Sequence, residues 1–230
     1  MNNSAFRTDD DWSYSGGTGP ENWGEIASIC DEGLWQSPIN LTDFTPTKLE
    51  PLRLAYDVAA REIINNGHQI QVHFEPGGRL EVGNKRYALD HLHFHVPSEH
   101  HLEGQAYKME AHFVHKDAAG NVAVLALLYA EGEHDPTFAR MESRLPDNTD
   151  KTEKPESAFR AADFLPASLD YYFYSGSLTT PPATEGVHWF VLKAVQSVAR
   201  SETTKLLRAD DGPNARPLQD RNERKVFTAA

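Results

Sequence analysis

The chain is 230 residues long, carries a formal net charge of −12 and holds one cysteine, Cys30. That length fits one large domain or two small ones, and it can bury a substantial core without staples. The acidic balance argues against a nucleic-acid partner, no apolar run approaches the roughly 20 residues of a membrane span, and a lone cysteine excludes an intramolecular disulfide.

Residues 1–11 are polar and acidic and read as a flexible arm, with no basic-then-apolar signal pattern. Residues 12–230 read as one domain. From Trp12 to Gly24 the mixture of aromatics, glycines and Pro20 predicts ordered irregular coil. Asn65, Asn66 and Gly67 form a turn signal. After it Ile70, Val72 and Phe74 alternate with Gln71 and His73, the period of a half-buried strand, and Pro76-Gly77-Gly78 closes it. Residues 80–82 and 86–89 flank Gly83-Asn84 as a hairpin. Strands follow over 92–96, 106–115 and 122–130, the last two joined by a tight turn at 117–120.

Asp135 as N-cap and Pro136 at the first position open a helix that runs to Leu145. Residues 146–170 read mostly as loop, 187–195 as a strand, and 201–208 as a short helix capped by Ser201. The expected fold class is mainly β (α+β): a single domain with a large central, mostly antiparallel twisted β-sheet and short peripheral helices.

Five of the 11 histidines fall between His91 and His101. Residues two apart in a strand share a face, so His91, His93 and His95 project together while Leu92, Phe94 and Val96 take the other side. On the next strand Glu110, His112 and Val114 share one face, and Ala111, Phe113 and His115 the other. If the two strands pair, His112 faces His93 and His95. Three imidazoles plus water is the donor set of a catalytic zinc; a closed structural site favours four ligands and cysteine. Glu110 can hold the second nitrogen of His112, and His91 that of His93. The same spacing also fits a polar, histidine-rich strand pair without metal.

Seven segments, in order and spread almost end to end, resemble the α-class carbonic anhydrases of bacterial type: WSYSGGTGPENW from Trp12, QSPIN from Gln36, NNGHQIQV from Asn65, HLHFHVPSEH from His91, EAHFVH from Glu110, YSGSLTTPPATEGVHW from Tyr174 and NARPLQ from Asn214. The resemblance implies reversible hydration of carbon dioxide to bicarbonate by zinc-hydroxide attack, with one Zn2+ on His93, His95 and His112. It makes Thr179 the acceptor of the hydroxide's hydrogen bond, Glu99 the receiver of the threonine's proton and His68 the proton shuttle. Val114, Val124, Leu178, Val187 and Trp189 become the apolar wall for CO2, with Thr180 bordering the site. Tyr14, Asn65 and Gln71 become the polar side that orders water.

Esterase activity toward activated esters is an implied side reaction. Sulfonamide- or anion-type inhibitors are expected at the zinc, and the resemblance allows a homodimer. His100 reads as a buried structural partner, and His73, His101, His115, His134 and His188 as surface or second-layer groups.

Two positions depart from the family pattern. Many secreted bacterial members pair a cysteine near position 30 with one just after the two prolines, where this chain has Ala183. His91 stands where other members often have glutamine. The resemblance favours a periplasmic or secreted setting, while an unpaired Cys30 and the missing signal pattern allow cytoplasm.

Two other readings compete with this one. His93, His95 and Glu99 fit the H-x-H-x3-E pattern of a cupin-type oxygenase, with Glu99 as metal ligand, but Tyr87 and Ala106 stand where that motif wants glycine. A binding domain that has lost catalysis usually lacks a zinc histidine, and all three are present here.

Overall fold

In the computed structural model, residues 12–146, 151–156 and 158–230 are described. The expected arm, residues 1–11, lies outside them. Thirteen strands among the described residues form one twisted sheet. Along its main path lie, side by side, Lys151–Glu153, Ala60–Asn65, Ile70–Phe74, Lys85–His95, Met109–Lys116, Val122–Glu131, Glu185–Leu192, Tyr171–Ser177, Val226–Ala229 and Phe44–Thr47. Most pairings are antiparallel. Val122–Glu131 runs parallel to Glu185–Leu192, and Val226–Ala229 parallel to Phe44–Thr47. Short helices sit at the periphery. Among the described residues no helix is long and apolar enough to cross a membrane.

The sheet divides two apolar layers. Val122–Glu131 is apolar on both faces because both are covered. Leu125, Leu127 and Tyr129 enter the larger layer, and Val124, Ala126 and Leu128 the smaller one. Leu92, Phe94, Ala111 and Phe113 also enter the larger layer. Strand alternation therefore turns His91, His93, His95, Glu110, His112 and Val114 to the other side. Val114 there joins Val187, Trp189 and Tyr174.

One irregularity controls this division. Val114 pairs with His91, but His115 pairs with Leu89, so Asp90 is an extra residue in the Lys85–His95 strand. Tyr87 and Leu89 thereby face the same layer as Leu92 and Phe94, although the count passes from odd to even.

Several expectations need correction. The expected strands over 86–89 and 92–96 are one continuous strand, Lys85–His95, joined across the Asp90 bulge. The segment from Trp12 to Gly24 is not coil throughout: it contains the 3-10 turns Gly16–Thr18 and Pro20–Glu25, with Trp23 buried and its indole N–H donated to the Ser13 and Thr18 carbonyls. The stretch read as loop contributes Lys151–Glu153 to the sheet, although residues 147–150 and 157 lie outside the described set.

The last helix is Arg200–Ala209, and Ser201 is inside it. Its N-cap is Ala199, whose backbone N–H is accepted by Glu202 three residues on, so the cap is supplied from within the helix. The helix at Pro136–Glu142 is capped by Asp135, which accepts from the Thr137 and Phe138 N–H groups. It stops short of Leu145.

His115, read as a surface or second-layer group, is fully buried on the large-core side, 2.5 Å from the Tyr56 hydroxyl at Nε2 and 3.2 Å from the Ala123 carbonyl at Nδ1.

Candidate metal centre

His93 and His112 stand directly opposite each other in the antiparallel ladder, and Glu110 stands opposite His95. Gln71 faces His93 from the other neighbouring strand. Ligand atoms of His93, His95 and His112 all lie within 4.8 Å of one another, and all three rings are buried.

Each ring has one nitrogen engaged by the protein, which sets the tautomer. His95 Nδ1 donates to the Asn214 carbonyl at 2.7 Å, and its buried Nε2 has no hydrogen-bond partner. His112 Nε2 lies 2.8 Å from Glu110 Oε1, leaving Nδ1. His93 Nδ1 lies 3.1 Å from His91 Nε2, leaving Nε2. Burial lowers the pKa of all three, to about 4 for His95 and well below the usual value for His93. Three neutral imidazoles with converging lone pairs fit Zn2+, and no thiolate or carboxylate is needed to complete a three-ligand set.

Around them lies a second tier of contacts. Glu110 Oε2 accepts from the Glu99 and His100 backbone N–H groups at 2.9 and 2.8 Å, and Oε1 accepts from His100 Nδ1 at 2.7 Å. Burial alone would raise this carboxyl, but His100 and His112 hold it well below the carboxylate range. His100 in turn meets the Tyr174 hydroxyl at 2.6 Å, so it is a buried partner of the site. Glu99 Oε1 accepts the Arg216 N–H at 2.9 Å, while Oε2 lies 3.4 Å from His95 Nε2. Burial pushes Glu99 up to about 7, with His112, the Arg216 N–H and the Thr179 hydroxyl opposing the rise.

A cavity of about 290 Å³ opens above His93 and His112. One side is polar, with Asn66, His68, Gln69, Gln71 and His91; the other is apolar, with Val114, Val122, Val124, Leu178 and Trp189; Thr179 and Thr180 border it. A larger hollow of about 480 Å³ lies between Glu142 and Ala209 and holds none of these histidines.

Of the residues expected on the apolar wall or the water-ordering side, three lie outside the cavity lining. Val187 is buried in the same apolar layer as Trp189. Asn65 is turned away, donating to the Ala209 carbonyl and accepting from Gly67 N–H. Tyr14 packs edge-on against Trp12 and Trp23 with its hydroxyl buried.

The structure also brings in residues given no role from sequence. Trp12 stacks on His68 with ring centroids 3.8 Å apart, Gln69 lines the cavity, and Asn214 holds His95 across 119 positions of chain. Asn214 and Arg216 do fall within the NARPLQ segment, but nothing in their spacing announces the contact.

Residues 18–230 match the model of the eukaryotic-type carbonic anhydrase family. A carbonic anhydrase of Pectobacterium carotovorum is 38% identical over 228 residues, covering 97% of this chain and 93% of that protein. Among solved structures, an α-carbonic anhydrase of Photobacterium profundum superposes with a TM-score of 0.91 at 39% identity, covering 94% of this chain and 100% of the other. An α-carbonic anhydrase of Thermovibrio ammonificans, solved in complex with the inhibitor sulfanilamide, superposes with a TM-score of 0.90 at 38% identity, covering 94% and 98%.

Proposed function

Because the chain belongs to the eukaryotic-type, α-class carbonic anhydrase family, we propose that it interconverts carbon dioxide and bicarbonate with one Zn2+ held by His93, His95 and His112. The observation that carries this reading is the convergence of three buried, neutral imidazole nitrogens beside a half-apolar cavity that His93 and His112 line. When bound, the zinc lowers the pKa of a coordinated water toward neutrality, an effect best known from carbonic anhydrases themselves.

The protein's own groups supply orientation, a dry pocket and a proton route. His91, Asn214 and Glu110 fix the three rings. Thr179 donates its hydroxyl proton to Glu99, which leaves the threonine oxygen as an acceptor toward the cavity and selects the direction of the nucleophile's lone pair. CO2, which has no dipole and few hydrogen-bonding demands, rests against Val114, Val124, Leu178 and Trp189. His68, on the polar side beside Trp12, carries the released proton outward, since an imidazole can accept a proton at one nitrogen and release one from the other. Gln71 and neighbouring amides order the water between.

Activated esters are attacked as a side reaction, and a primary sulfonamide occupies the same centre. The deciding experiment is stopped-flow CO2 hydration with zinc content measured on the same sample. Zinc-replete protein that hydrates CO2 no faster than buffer would remove the enzymatic reading.

A further inference from the structure

We propose that Asp210 is a positioning residue for the metal centre: through Asn214 it fixes the orientation of His95. This rests on the reading of His95 as a zinc ligand.

Asn214 brackets His95 on every side. Its backbone carbonyl accepts from His95 Nδ1 at 2.7 Å. Its side-chain amide accepts from Val96 N–H at 2.8 Å through Oδ1 and donates to the Phe94 carbonyl at 2.9 Å through Nδ2. Its own backbone N–H reaches the Val96 carbonyl at 3.3 Å. The residues before and after the ligand, and the ligand ring, are thus clamped by one asparagine.

The second proton of that amide goes to Asp210 Oδ2 at 3.1 Å. Asp210 follows the helix Arg200–Ala209, to which its backbone N–H is tied through the Leu206 carbonyl at 2.9 Å. The carboxyl is therefore anchored at the C-terminal end of that helix. It adds a third bond to an amide whose orientation the Phe94 carbonyl and the Val96 N–H already set, since a reversed amide would place its oxygen against that carbonyl and its NH2 against that N–H. Losing Asp210 lets the amide and the 214 backbone shift, and the ring bonded to that carbonyl shifts with them. Burial pushes the Asp210 carboxyl up to about 8, so near neutral pH its isosteric amide is a close mimic.

The test compares zinc-loaded wild type, Asp210→Ala, Asp210→Asn and Asp210→Glu. Zinc release to excess dipicolinate is timed, the visible spectrum of the cobalt-substituted protein is recorded, and the melting temperature of each metal-free form is taken. Asp210→Ala is expected to release metal roughly 10-fold faster and to alter the cobalt bands, as loss of an outer partner does in other metal sites. Asp210→Asn, which keeps an acceptor in place, is expected to stay within about twofold. Asp210→Glu keeps the acid but moves it by one methylene, and several-fold faster release is expected there even if the alanine variant fails to fold. Wild-type release rates and cobalt bands in the folded Ala and Glu variants would overturn the proposal. Acceleration in Asp210→Asn equal to that in Asp210→Ala would also overturn it, because an acceptor held in place would then not be what orients His95. A wild type that takes up no zinc would instead overturn the metal reading.

Discussion

The Nε2 atom of His91 lies 3.1 Å from His93 Nδ1, while His91 Nδ1 lies 2.7 Å from Asp90 Oδ2. The carboxylate accepts a hydrogen bond from His91 Nδ1–H, which makes Nε2 the acceptor for the His93 Nδ1–H and leaves His93 Nε2 bare. A glutamine carbonyl can accept in the same place. His91→Gln is therefore expected to hold zinc within a few-fold of wild type, and His91→Ala roughly 10-fold more weakly. Competition with a chromophoric chelator measures both.

Glu110 is a stronger dependency. Its two oxygens serve four N–H groups, from Glu99, His100 twice and His112. In Glu110→Gln one oxygen becomes a donor facing donors. Urea unfolding of the metal-free variant is expected to show a loss of about 1–3 kcal/mol. Zinc affinity is expected to fall by about 10–100-fold.

Proton export through His68 predicts a buffer signature. In weak buffer His68→Ala is expected to lower kcat by about 10-fold or more, with kcat/KM little changed, and added imidazole should restore much of it. Turnover independent of buffer concentration in this variant would remove His68 from the route.

His115 sets part of the acid limb of stability. Burial depresses its pKa from 6.5 to about 4, so below 6.5 the unfolded chain binds a proton that the folded chain refuses. Stability is unaffected above 6.5, falls as pH drops from 6.5 to about 4, and is flat in this respect below that. The full fall is about 3 kcal/mol. His115→Gln is expected to flatten the slope in that window, read from urea midpoints at pH 5 and 7.

Cys30 and Ala183 belong to one small buried cluster with Trp23. Arg216 donates to the Cys30 carbonyl, Gln36 to the Ala183 carbonyl, and Arg216 to Gln36, so both backbones are held by one network. Ala183→Cys is expected to form a bridge with Cys30 under oxidising conditions, seen as loss of both thiols in Ellman titration. The gain is expected at about 2–4 kcal/mol.

Much of the centre was legible because it is local. The spacing of His93 and His95 and the alternation around His112 need only strand geometry, and the ladder places those faces together. What stayed hidden is non-local or phase-breaking. No period in the sequence connects Asn214 to His95, or Asp210 to either. Asn65 and Gln71 look equivalent along the chain, yet Asn65 is drawn off by the Ala209 carbonyl at the end of a helix far along the chain. The Asp90 bulge had a signal that was there to read. Apolar positions run 87, 89, then 92, 94, and only an inserted residue reconciles the two series.

That inserted residue makes the strand behave as two half-strands mounted out of phase. Residues before it can be varied for packing without rotating the imidazoles, and residues after it can be varied for metal chemistry without disturbing Tyr87. Anyone grafting the HLHFH segment onto a foreign sheet would have to carry Asp90 and its mismatch along, or redesign the preceding half from the opposite face. A clean deletion of Asp90 would force one half or the other to present its wrong side.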